Sequence, residues 1–273
     1  MPHLVKVQEQ YKSQGLIIIG SHCQQVEQAK VCGLCRSKNV NYTVVNAGRL
    51  QGDDSNGIPH AWLFDASGKV VQEGHVEEMA AKIDELLKSA PHWITRGKKL
   101  ESPAKAVAEG LKAGKPMGWA LGETEALLKK GDAKVADEAQ FLKDQLTAEG
   151  EKAVAEATAL EAENAFKAEQ AYEAIKGNWK KTDFATKADA RLKELKKDKD
   201  FQEEVKAGKM CAQIDELCAQ LIPVNGAYNL EYAGNKGTAQ NIAGLVKALK
   251  AKHASSAVAK KTIAGLKAFG FPE

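Results

Sequence analysis

The residues of this 273-residue chain best suited to chemistry are its cysteines. Cys32-Gly33-Leu34-Cys35 has the Cys-x-x-Cys spacing of a dithiol redox centre, in which a thiolate attacks a disulfide sulfur. That chemistry favours a cysteine just after a strand, at the start of a helix. There the helix dipole and free N–H groups stabilise the thiolate. Here the pair falls at the far end of a helix predicted over residues 24–36, and only six residues separate Cys35 from Tyr42, too few for a following helix. The C-terminal end of a helix opposes a thiolate, and Arg36 and Lys38 counter this only weakly if exposed. Cys32 and Cys35 therefore read first as a structural or incidental pair and second as a redox pair.

A metal centre is the next reading, because His22, Cys23, Cys32 and Cys35 include zinc-ligand types. If Cys23 and Cys32 share one helix, a rise of ~1.5 Å per residue separates them by roughly 13 Å. One zinc with bonds of about 2.3 Å to sulfur cannot span that distance. No metal site and no cofactor is expected. Cys23, at a strand–helix junction, reads as a small buried residue before a reactive thiol. Cys211 and Cys218 share a helical stripe with Ile214 and Leu221 and read as core. His60, Asp65, Trp93, Trp119 and Trp179 have ordinary packing or turn readings. Residues 229–273 hold seven lysines and two acids, which suits a solvated helix face. No aromatics are interleaved for base stacking, so nucleic acid is not an expected partner.

The elements that would position these residues change character near residue 91. Leu4, Val7 and Tyr11 mark one face of a helix that Pro2 can begin and Gly15 can stop. Residues 16–20 are wholly apolar, as in a parallel strand covered on both faces. With the helix over 24–36 and a strand over 42–45 they form a βαβ unit. Residues 47–57 read as a loop. Strands over 61–64 and 69–72 are joined by a turn at Asp65-Ala66-Ser67-Gly68, and a helix over 76–87 closes the unit. Beyond this, Ala, Lys and Glu dominate. Helices are predicted over 102–113, 121–130, 133–176 (broken near Gly150), 182–221 (broken near Asp198), 239–252 and 256–269. The short connector at His253–Ser256 predicts a helical hairpin. Paired helices suggest a tetratricopeptide-like stack, although no clean period of about 34 residues is found.

Composition narrows the class. Apolar residues make up 44% and charged residues 27%, which excludes wholesale disorder. The longest aliphatic run, Leu16-Ile17-Ile18-Ile19, is far too short to cross a bilayer. Five cysteines are too few for a disulfide scaffold at this length. Up to Thr95 there are 9 basic and 10 acidic residues, whereas the remainder carries a net charge of +4. As written, the N-terminus has no signal-peptide pattern, which predicts a cytoplasmic product.

The segment Gly57-Ile58-Pro59-His60-Ala61-Trp62-Leu63-Phe64-Asp65, followed by Gly68-Lys69-Val70-Val71 and Gly74, resembles the thioredoxin-like thiol–disulfide oxidoreductases of the TlpA type. The resemblance implies that Ile58 and Pro59 form the substrate-facing cis-proline loop, that the hairpin completes the sheet and that the last helix packs on it. It also implies that residues 1–11 are the rest of the helix following the family's Trp-Cys-x-x-Cys motif. That motif and its strand would then lie upstream of Met1, with the strand seated between those at 16–20 and 61–64. The expectation is a chain begun at an internal methionine, its catalytic motif absent and no residue here catalytic. An upstream signal peptide would make the product periplasmic or exported.

The fold class expected is α/β then all-α. An incomplete thioredoxin-like domain (1–92) precedes a helical-hairpin domain (97–273). The function expected is thiol–disulfide exchange, with a protein partner held by the cis-proline loop or the helical domain. The alternative is a non-catalytic scaffold that binds proteins through the helical domain.

Overall fold

A computed structural model of the chain describes residues 2–23, 28–46, 48, 57–101, 103–130, 133–224 and 227–272. In chain order the elements are α1 (Pro2–Tyr11), β1 (Ile19–His22), α2 (Gln28–Ser37), β2 (Thr43–Asn46), β3 (Ala61–Phe64), β4 (Val70–Gly74) and α3 (Ala80–Ser89). There follow α4 (Ala104–Lys112), α5 (Met117–Lys130), α6 (Ala133–Glu163), α7 (Ala165–Asn178), α8 (Asp183–Leu195) and α9 (Lys199–Cys218). The chain ends with β5 (Pro223–Val224), β6 (Ala227–Tyr228), α10 (Ala233–Lys252), α11 (Ala257–Gly265) and a 3₁₀ turn at Leu266–Phe269. Most described residues are helical, and everything after Ala80 is helical apart from turns and the two-residue β5–β6 pair.

The chain divides into two compact units built from discontinuous segments. One comprises Met1–Lys6, Gln24–Tyr42 and Glu149–Glu273, and the other Val7–Cys23 and Thr43–Ala148. A single cut between residues 92 and 97, as read from composition, does not follow this grouping.

In the unit holding residues 7–23 and 43–148, β1 pairs with β2 in parallel, Ile19 opposite Thr43 and His22 opposite Asn46. Strands β3 and β4 pair antiparallel, Ala61 opposite Gly74, with an irregularity between Leu63 and Phe64. Among the described residues these are two separate ladders, so β1 and β3 each keep one edge without a strand partner. Two strands alone are marginal in water. The β3–β4 pair is backed by a core of Tyr11, Leu63, Met79, Ile83 and Leu87, with Val7, Leu16, Ala61 and Val71 against it. Burying such a side chain contributes about 1.5–3 kcal/mol. Tyr11 Oη donates a 2.5 Å hydrogen bond to Asp84, tying α1 to α3. Lys112 Nζ donates to the carbonyls of Lys88 and Ala90 and so holds α4 at the end of α3.

The first strand departs from expectation. It runs over Ile19–His22 and not over 16–20, and both Ile17 (79% exposed) and Ile19 (65%) face solvent. A parallel strand is covered on both faces only when its crossover helix lies over it. Here α2 packs within the other unit, on α9 and on Leu266–Phe269. Leu16 packs against the Leu63 core and Ile18 is half-buried, so the run 16–19 is covered only at alternate residues.

Within the unit holding 149–273, side-chain caps start the helices. Asn164 accepts from Lys167 N at the head of α7, Thr182 from Ala185 N at α8, Asp198 from Phe201 N at α9 and Ser256 from Ala259 N at α11. The break near Asp198 falls where the sequence places it. The break near Gly150 does not: α6 runs through Gly150, and the interruption comes at Asn164, whose extended backbone and capping oxygen begin a new helix. Glu161 accepts from Arg191 Nη2 (2.7 Å) and Tyr172 Oη (2.6 Å) and so links α6, α7 and α8. The Arg191 guanidinium and the Tyr172 hydroxyl together hold the Glu161 carboxyl below its usual range. A second core joins α9, α10 and α11 through Ile214, Leu221, Ile242, Leu249, Val258 and Phe269, and both Cys211 and Cys218 are buried in it.

His92 gives a pH prediction. It is 4% exposed, and its Nδ1 accepts from Ile94 N at 3.2 Å. Burial, with the charge of Lys112, lowers its pKa from 6.5 to about 4. The folded state therefore holds His92 neutral, while the unfolded chain takes up a proton below about pH 6.5. Stability should fall as pH drops from 6.5 toward 4 and level off on this account below it. Urea unfolding across that range should show a shallower acid slope in His92→Gln. An unchanged slope would sink the assignment.

Candidate functional site

The loop leading into β3 is the feature of the sequence reading that the structure presents most openly. Gly57, Ile58 and Pro59 are exposed, Ile58 by 63%, and the Ile58–Pro59 peptide bond is cis. His60 follows, half-buried, with its ring edge-on to Trp62 at 4.6 Å. Strand β3 carries the loop, and β4 and α3 fix the strand from the far side. Leu63 points into the core, whereas Phe64, 43% exposed, does not. The far end of the hairpin is a tightly made turn. Asp65 accepts from Ser67 N, Ser67 Oγ and Lys69 N, at 2.8, 2.6 and 3.1 Å, and Gly68 takes a φ of +86°. The Ser67 hydroxyl, first, and the backbone N–H of Lys69 hold the Asp65 carboxyl below the ordinary range. All of Asp65's described contacts serve the turn, so it rigidifies the hairpin at the end away from Ile58.

The cysteines are dispersed. Cys32 and Cys35 lie inside α2, one turn apart, Cys32 exposed and Cys35 half-buried. Burial and the neighbouring Cys32 push the Cys35 thiol up, the opposite of what a nucleophilic thiolate needs. Cys23 follows β1 and is half-buried. Burial raises the Cys211 thiol, and Cys211 and Cys218 are sealed in the α9–α11 core. None of the five cysteines is in a disulfide. Among the described residues, no group of three or more His, Cys, Asp or Glu side chains is placed to hold a metal ion. No helix among them is long and apolar enough to cross a membrane.

The structure therefore brings together Ile58, Pro59, His60 and Trp62 at the head of β3. Cys32 and Cys35 belong to the other unit. Sequence reasoning missed the apolar exposure of this unit. Ile17, Ile19, Val45, Ile58, Phe64 and Val70 all stand out to solvent. The apolar runs at 16–19 and 61–64 read equally well as buried strand. Compared with protein-family models, curated proteins and solved structures, the chain matches none of them.

Proposed function

We propose that this chain carries a thioredoxin-like module of the TlpA type that serves thiol–disulfide exchange, with Ile58 and Pro59 as its substrate-facing loop and the helical part positioning a protein partner. The observation that supports it most is the pattern of ladders. A parallel β1–β2 pair and an antiparallel β3–β4 hairpin closed by α3 stand as separate two-stranded sheets among the described residues, with β1 and β3 each keeping one edge unpaired. The resemblance implies a strand bearing Cys-x-x-Cys between those two edges. The packing of α1 with α3 through Tyr11 and Asp84 also agrees with the reading of residues 1–11.

In this reading Cys32 and Cys35 are not the redox pair. A cysteine pair just after a strand seated against β1 and β3, at the start of the helix that follows, would supply the attacking thiolate. That thiolate forms a mixed disulfide with one substrate sulfur while the other leaves as thiolate. The second thiol then displaces the first substrate sulfur, leaving the module oxidised and the substrate reduced. Dithiothreitol would return the module to its dithiol form.

Insulin reduction with dithiothreitol tests this. The chain as it stands should give no turnover above the reductant's background. Turnover lost in Cys32→Ser would overturn the assignment of that pair. The same chain extended at its N-terminus by an apolar strand and Trp-Cys-x-x-Cys should turn over, and Ile58→Asp should reduce that rate several-fold. An extended chain that folds, by circular dichroism, yet stays inactive would sink the proposal.

A further inference from the structure

We propose that Cys32 and Cys35 form a two-thiolate site for a soft monovalent metal ion, copper(I). This stands independently of the redox reading, in which these two cysteines take no part. They lie three residues apart inside α2, on one side of the helix, and close enough to interact electrostatically. Cys32 is exposed, so the pair is open to an incoming ion, while Cys35 is half-buried. The backbone that carries them is held at several points. Val40 N donates to the Cys35 carbonyl at 2.9 Å, Lys38 N donates to the Leu34 carbonyl at 3.1 Å, and Asn39 takes a φ of +49°. This is a Schellman-type helix end. Between the cysteines, Gly33 abuts the turn at Leu266–Phe269, where a Cβ on it would lie 3.1 Å from the Cβ of Ala268. Helix α2 also packs on α9. The spacing of the thiols is therefore set by the fold and does not have to form around the metal.

The donor set selects the ion. Structural zinc and iron–sulfur clusters take four ligands. Among the described residues no group of three or more His, Cys, Asp or Glu side chains is placed to hold an ion. Thiolates also select copper(I), whose filled d shell accepts two opposed sulfurs and needs no further donor. Spacing favours an ion over a direct bond between the sulfurs. Helical neighbours at i and i+3 have Cβ atoms about 5–6 Å apart, whereas a disulfide draws them to about 3.5–4.5 Å. Two opposed metal–sulfur bonds of about 2.3 Å place the sulfurs roughly 4.6 Å apart, which a regular helix can match. Each new metal–sulfur bond replaces an S–H bond and both protons leave to water, so neither copper nor sulfur changes oxidation state.

Titrating the reduced full chain, under nitrogen, into the coloured bicinchoninate complex of copper(I) tests the proposal. The colour should bleach until one copper is bound per chain, and an excess of zinc should not displace it. Cys32→Ser, at an exposed position, and Cys35→Ser should each weaken copper binding by about 100-fold or more, since even outer partners of a ligand are worth about 10–100-fold. Both variants should keep the circular dichroism of the parent chain. Cys23→Ser, in the other unit, should bind copper as the parent does. No bleaching, bleaching unmoved in Cys32→Ser, one copper shared by two chains, or displacement by zinc would overturn it.

Discussion

Replacing Asn235 with leucine is expected to destabilise the helical unit by about 3 kcal/mol. Asn235 is fully buried in the first turn of α10. Its Oδ1 accepts from Ile222 N at 2.7 Å, and its Nδ2 donates to the carbonyls of Ile222 at 2.8 Å and Asn229 at 2.9 Å. One carboxamide thus satisfies three backbone groups of the turn that leads from α9 into α10. Leucine has similar bulk but none of these bonds, and each buried group left unpaired costs about 1–3 kcal/mol, less where water can reach it. Urea unfolding should show the midpoint falling with little change in slope. A loss below about 1 kcal/mol would mean that water replaces the amide. Asn235→Asp adds a second reading. A carboxylate can accept from Ile222 N but cannot donate to either carbonyl, so the folded state favours the protonated acid. The deficit should therefore grow as pH rises through the carboxylate range, and a pH-independent deficit would refute this geometry.

Gly150→Ala should also destabilise, against the usual sign. In an open helix interior alanine is better than glycine by about 1 kcal/mol. A Cβ at Gly150, however, would lie 2.6 Å and 2.7 Å from Cδ2 and Cζ of Phe184. Phe184 cannot easily yield, since it is buried and edge-on to Trp179 at 5.1 Å. Overpacking of this kind costs about 1–3 kcal/mol, enough to outweigh the helix propensity. The check is a double-mutant cycle. In a Phe184→Ala background the steric term disappears, and Gly150→Ala should become neutral or stabilising. If alanine is equally harmful in both backgrounds, the contact with Phe184 is not the cause.

These two positions also show what the sequence could and could not disclose. Asp198 was legible as a break because its capping oxygen is a local device. Gly150 was misleading, because glycine weakens a helix in isolation but admits a ring when another helix crosses it. The hairpin was legible from two apolar β-forming runs, 61–64 and 69–72, joined by the turn residues Asp65 and Gly68, whose geometry is set within a few positions. The cis-proline loop was legible only through the resemblance carried by Ile58 and Pro59. The placement of α2 was not legible. Nothing local in its sequence points to α9, on which it packs. The lysines of the last two helices read correctly as exposed, since they fall off the apolar stripe of each helix.

The interleaving of segments has a consequence for biosynthesis. Helix α2 leaves the ribosome early, yet α9 and the turn at Leu266–Phe269 on which it packs are made near the end. At ~5–20 residues per second, α2 waits on the order of ten seconds or more for its partners. Over that interval β1 and β2 also carry between them a helix with nowhere to dock, and the exposed side chains of Ile17 and Ile19 accompany it. The last helices therefore act as the closing step for a stretch translated near the beginning of the chain.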